Sequence, residues 1–253
     1  LEYTLDGRSY KKVVAENQAL ALPEGGRGVS DIPAAELLEG QVLAAWQAGT
    51  WVISNNQGKA LTLKVDSVPS ALTLSGPWEV RFQAGRGAPA KITLDKLLPW
   101  NEHAEGGVKY YSGLGTYATA FKVAASLLRK DRRLLLELGR VEVSARARLN
   151  GKELGILWAP PYRADVTELV KAGENRLEVE VANLWVNRLI GDEQLPEDVS
   201  WNRDGSVKEW PEWVGKGIPR TSGRLTFTTW KHWKKDDAPV DSGLLGPVLL
   251  RIV

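Results

Sequence analysis

Val143-Ser144-Ala145-Arg146-Ala147-Arg148-Leu149-Asn150-Gly151-Lys152-Glu153-Leu154 is the stretch that decides the fold. Val143, Ala145, Ala147 and Leu149 alternate with Ser144, Arg146 and Arg148, the period of two that buries one face of a strand. Asn150-Gly151 then turns the chain, because a two-residue hairpin needs positive φ at both central positions and these residues accept it. The same alternation recurs on either side. Leu134, Leu136 and Leu138 alternate with Leu135 and Glu137; Leu177, Val179 and Val181 alternate with Glu178 and Glu180, after a Gly173-Glu174-Asn175 turn; Val248, Leu250 and Ile252 close the chain. Short one-face-buried strands at this spacing, with few helical patterns, predict an all-β chain, a β-sandwich or jelly roll. Trp78 and Tyr117 lie in strand-like runs and are expected in its core.

Residues 1–70 read as a small partial β unit. Residues 3–5 and 9–14 flank the turn pair Asp6-Gly7, and residues 49–53 and 60–65 form a second hairpin in which Leu61, Leu63 and Val65 share a face to be buried. Residues 32–38, after Ser30-Asp31, read as a helical turn. Ser67-Val68-Pro69-Ser70 is the linker, so the sandwich spans 71–253, with a long inserted loop at about 189–222.

Composition narrows the function classes. With 43% hydrophobic and 25% charged residues and a net charge of +2, the 253-residue chain is of ordinary globular type and carries no general case for nucleic acid or acidic lipid. It has no cysteine, hence no disulfide, thiolate ligand or thiol nucleophile. No apolar run approaches the ~20 residues of a membrane-spanning helix. The sequence starts at Leu1 and has no methionine, which leads us to expect further domains upstream. Charge is uneven along the late part. Arg188 stands against Asp192, Glu193, Glu197 and Asp198, whereas residues 199–235 carry eight basic residues against three acids.

Several motifs carry a resemblance. Ser75-Gly76-Pro77-Trp78-Glu79-Val80, Gly106-Gly107-Val108-Lys109-Tyr110-Tyr111-Ser112-Gly113, Gly115-Thr116-Tyr117 and Leu149-Asn150-Gly151-Lys152-Glu153-Leu154-Gly155 resemble the galactose-binding-like β-sandwich of family 2-type glycoside hydrolases. Asn183-Leu184-Trp185-Val186-Asn187-Arg188-Leu189-Ile190-Gly191-Asp192 and Ser242-Gly243-Leu244-Leu245-Gly246-Pro247-Val248 are similar to the C-terminal sandwich of α-L-rhamnosidases of glycoside hydrolase family 106. Val186 stands where a common family form has proline. The resemblance covers roughly 70–253 and implies a sandwich appended to a catalytic domain whose carboxylates lie upstream. No catalytic residue is carried over.

Eleven tryptophans, six of them at or after Trp185, point to sugar, since an indole stacks on the C–H face of a pyranose while its N–H seeks a polar partner. In Trp158-Ala159-Pro160-Pro161-Tyr162-Arg163, two prolines hold an extended loop between two aromatic platforms, with Arg163 as a hydrogen-bonding fork. The alternative is that Trp158 plugs one end of the sandwich and Arg163 pairs with an acid. If the strand through Val181 continues, Asn183, Trp185 and Asn187 share a face, amides beside an indole, which reads vicinal hydroxyls; the alternative is a seam fixing the loop that follows. A strand over 226–233 would expose Trp230 on one face and turn Trp233 to the core. Asp192 completes the candidate set. The four acids from Asp192 to Asp198 lack the spacing of a calcium loop, although their oxygens suit a structural calcium; four acids within seven residues do not establish a glycosidase pair, against which stands a solvated acidic loop or a docking face for the catalytic domain. His103 and His232 have no spaced metal partner, and Asp236-Asp237 opposes a nucleic-acid reading of the basic, aromatic run at 230–235.

The expectation is therefore a non-catalytic carbohydrate-binding module, ancillary to a bacterial, secreted plant-polysaccharide-degrading glycoside hydrolase, extracellular or periplasmic. Its partners would be a cell-wall polysaccharide or oligosaccharide and the upstream catalytic domain, with no cofactor. The alternative is a structural accessory domain of an α-L-rhamnosidase that binds no sugar.

Overall fold

A computed structural model of the chain describes residues 46, 48–52 and 60–253 with their side chains, and residues 2–5, 8–11, 35–38, 42–45 and 53–54 as backbone strands. The chain divides into two compact units, Leu1–Ser67 and Val68–Val253.

Among the described residues, unit 1 contains three antiparallel strand pairs: β1 (Glu2–Leu5) with β2 (Arg8–Lys11), β3 (Ala35–Leu38) with β4 (Val42–Ala45), and β5 (Gly49–Ser54) with β6 (Ala60–Val65). The Asp6-Gly7 turn itself lies outside the described residues. Two expectations are corrected. The helical turn anticipated over 32–38 is, where described, strand β3, with Leu37 opposite Leu43; so short a helix is not self-sustaining, whereas the hairpin pairs its backbone. Leu61 and Leu63 are exposed, not buried, because a two-stranded hairpin supplies no second layer.

Unit 2 is a sandwich. Its larger sheet has six strands in the order β14 (Lys152–Leu157), β13 (Ser144–Leu149), β16 (Gly173–Ala182), β10 (Leu114–Val123), β8 (Trp78–Phe82) and β9 (Lys91–Leu94). The smaller sheet runs β15 (Arg163–Asp165), β11 (Leu134–Glu137), β18 (Leu249–Ile252) and β7 (Leu72–Thr73), and a further pair joins β12 (Arg140–Glu142) to β17 (Gly243–Gly246). Every ladder is antiparallel. Ala145, Ala147, Leu149, Leu177, Val179 and Val181 point inward from one sheet, Leu134, Leu136, Leu250 and Ile252 from the other, and all belong to one buried cluster. The hairpin at Asn150-Gly151 forms as the sequence predicts: φ is 52° and 78° at the two residues, and Leu149 pairs with Lys152.

Aromatic packing fills the centre. Trp100 stacks on Tyr117 at 6.1 Å between ring centroids and meets Phe82 and Tyr111 edge-on. Trp78 and Tyr117 are buried, as expected of core residues. Tyr117 Oη accepts the Leu244 amide at 2.9 Å, which ties β10 to β17. Gly115 lets the indole lie against β10, since a Cβ there would stand 2.4 Å from Trp100.

β16 ends at Ala182 and the chain enters a short helix, α2 (Val186–Asp192). Among the described residues, 193–242 form no strand; a four-residue helical piece, α3 (Trp213–Lys216), broken by non-helical backbone angles at Val214 and Gly215, and two isolated bridges, Trp201 with Val207 and Ser206 with Trp230, are its only named pieces. The strand expected over 226–233 is therefore absent, because its alternating residues find one bridging partner and no sheet edge. The irregular segment is longer than 189–222 and returns to the sandwich only at β17.

Candidate saccharide-binding face

Charge organises the insertion. The acidic run and the basic run that follows it pair with each other. Arg224 meets Glu193 at 2.7 Å, Arg220 holds both oxygens of Asp198, and Lys231 binds Glu197, while within the acidic run Arg188 meets Asp192 at 3.0 Å. Asp192 is buried and also accepts the amides of Leu225 and Thr226 and the Thr226 hydroxyl, at 2.6–3.2 Å. Hydrogen bonds from Lys231 and from Arg220 hold the Glu197 and Asp198 carboxyls below their ordinary values. A glycosidic general acid needs the opposite, a pKa raised by desolvation or by a neighbouring negative charge. These acids staple the insertion to itself.

The predicted site residues separate into two groups. Tyr162 is buried and donates to the Val143 carbonyl at 2.8 Å, and burial pushes its phenol up. Arg163 pairs with Glu137 at 3.4 Å, the alternative foreseen for it. Asn183 accepts from the Gly113 amide at 3.0 Å and donates to the Tyr111 carbonyl at 2.8 Å. Asn187 is buried and grips both the amide and the carbonyl of Val240, at 2.8 and 2.7 Å. The shared face of Asn183, Trp185 and Asn187 does not form, because the strand stops at Ala182 and the helix turns Asn187 inward. Asn183, Asn187 and Asp192 are the seam that fixes the insertion, and their polar atoms face protein.

The indoles behave differently. Trp158 is 77% exposed and so does not plug the sandwich; Trp185 is 67% exposed and Trp230 45%. Trp185 lines a cleft of about 520 Å³ together with Arg86, Ser112, Arg188 and residues 225–227. Trp230 lines a second cleft of about 360 Å³ with Trp201, Lys231, His232 and Trp233. Thr226 and Phe227 border both. Trp158 borders neither. Phe227 is itself seated against Trp210 and Trp213, with ring centroids at 5.6 and 5.3 Å, while Arg220 lies 4.3 Å over the Trp213 ring. Among the described residues no group of three or more His, Asp or Glu side chains stands close enough to hold a metal.

Residues 101–213 match the family model described as the glycosyl hydrolase 2 galactose-binding domain-like family. Unit 2 is a galactose-binding-like β-sandwich. A protein named putative beta-glucuronidase, from Formosa agariphila, is 45% identical over 206 residues, which cover 81% of this chain and 18% of that protein. The solved rhamnosidase of Novosphingobium sp. PP1Y aligns at 38% identity with a TM-score of 0.60, over 76% of this chain and 16% of that one. The chain thus spans less than a fifth of either relative.

Within this galactose-binding-like sandwich, Arg86 is the site residue that sequence reading missed. It lies between Gly85 and Gly87, both at positive φ, and that local signal marks an exposed loop tip. Its approach to Trp185 has no local signal, because 98 residues intervene. Phe227 and Arg188 were visible as residues but not as cleft walls. Val186, where a proline was expected from the resemblance, is the first residue of α2, a position that suits proline without requiring it.

Proposed function

We propose that the galactose-binding-like sandwich is a non-catalytic saccharide-binding domain, ancillary to a glycoside hydrolase. The observation that carries this reading is the exposed Trp185 indole at the wall of a 520 Å³ cleft beside hydroxyl and guanidinium groups. Exposing a tryptophan is costly unless something covers it, and an aromatic wall with a few polar groups is how sugar sites are built. Trp230 supplies a second platform on the adjoining cleft. The 38% and 45% identity to a rhamnosidase and to a putative beta-glucuronidase supports a parent enzyme acting on glycosides. We take that parent to be an α-L-rhamnosidase of glycoside hydrolase family 106, secreted or periplasmic, working on plant cell-wall polysaccharide.

Affinity electrophoresis and calorimetry against pectic, xylan and β-glucan ligands test the reading. Trp185→Ala should weaken binding at least about tenfold, by removing a stacked ring, and leave the melting temperature unchanged. A folded protein that binds nothing in the panel would sink it. A second reading has its own support: Ile156 and Trp158, at the end of edge strand β14, are both exposed, which suits a surface bracing another domain without touching sugar. In that case Trp158→Ala would weaken association with the catalytic domain while sugar binding stayed absent.

A further inference from the structure

The cleft that holds Trp185 is electrically one-sided. Arg86 and Arg188 line it, and no carboxylate does. Arg86 is exposed, donates to the Ser112 carbonyl at 3.4 Å, and among the described residues has no acid within ion-pair distance. Arg188 is buried, and the bare backbones of Gly87 and Gly191 make room for it: a Cβ on either would come within 3.3 and 2.5 Å of its terminal nitrogens. Its Nη2 meets Asp192, but that carboxylate also accepts two amides and a hydroxyl from residues 225 and 226. Arg188 Nε has no partner. An exposed guanidinium without an acid, Arg86, beside a buried one whose Nε is unpartnered, favours an anion in the cleft. The neighbouring cleft differs, because Arg220, Arg224 and Lys231 there are each paired with a carboxylate.

We infer that the Trp185 cleft takes a sugar bearing an anionic group, a uronate carboxylate or a sulfate ester, with the indole stacking on the ring and Arg86 and Arg188 facing the anion. The inference rests on the saccharide-binding reading and names the class of ligand for it. Planar guanidinium forks match carboxylate and sulfate oxygens two at a time, and the exposed Arg86 at the loop tip is placed to meet the charge first.

Calorimetry of the whole 253-residue chain with three size-matched ligands tests it: an oligouronate, its carboxyl-reduced neutral counterpart, and a sulfated oligosaccharide. At low salt at least one anionic ligand should bind about tenfold tighter than the neutral one, and the gap should narrow at high salt. Arg86→Gln should reduce anionic affinity about fivefold and neutral affinity less, and Arg86→Glu should erase the preference. Arg86 is exposed, so circular dichroism of these variants should match the parent. Equal affinity for neutral and anionic ligands, or a preference untouched by Arg86→Glu, overturns the anion assignment and leaves saccharide binding standing. No binding of any of the three overturns the saccharide reading beneath it.

Discussion

Asn150 is held at φ 52° and its amide is fully engaged: Nδ2 donates to the Leu169 carbonyl and to Asn175 Oδ1 at 2.9 and 2.8 Å, and Oδ1 accepts the Arg176 amide at 3.0 Å. Asn150→Ala combines a strained left-handed backbone with three lost bonds, and should lower stability by about 2–4 kcal/mol; Asn150→Gly keeps the turn and should cost less. Urea melts of the pair would show whether the order holds. Asp192 is the harder case. Asp192→Ala strands a buried Arg188 and two amides, and should cost about 3–5 kcal/mol; a loss under about 1 kcal/mol would mean that this carboxylate does not fix the insertion. The first residue was legible in the sequence because its turn partner is adjacent. The second was not, since its donors lie 33 and 34 residues away, and a loop acid with distant partners looks the same in sequence as one facing solvent. The amide of Asn187 was misplaced for the same reason: its partner Val240 is 53 residues on.

At the scale of elements, strands in the sandwich announced themselves through period-two alternation, and the insertion did not, because nothing periodic binds it. It is held by ion pairs, and these carry a pH signature. Glu197 and Asp198 have carboxyls depressed in the folded state, by hydrogen bonds from Lys231 and Arg220 first of all. A depressed folded pKa contributes stability that is fully present above the unfolded value and lost as pH falls through the folded one. The insertion should therefore loosen in acid below the ordinary range of these groups, 4.5 for Glu and 3.8 for Asp, while the sandwich core, held by apolar burial, persists. The expected result is a shift in tryptophan emission from Trp201, Trp213 and Trp230 at a pH where far-ultraviolet dichroism is still native. Coincident loss of both signals would place the insertion and the sandwich in one cooperative unit.

For the whole molecule, the larger of the two compact units has a core of its own. Residues 68–253 contain a cluster running through both sheets of the sandwich, from Val80 and Tyr117 to Leu136 and Leu250. The all-β class was readable because each strand carries its own face pattern; the two clefts were not, because the larger brings Arg86 and Ser112 to Trp185 and Phe227 from far away in sequence, and the smaller is built within residues 189–233, which carry no period. Every residue lining either cleft lies in unit 2. A domain with its own core and all of its ligand contacts should fold and bind without the other unit. The fragment 68–253 is thus expected to fold by itself and to bind any oligosaccharide that the full chain binds with unchanged affinity by calorimetry. A folded fragment that has lost binding would show that residues 1–67 contribute to the site, and would move the search for the ligand's contacts into unit 1.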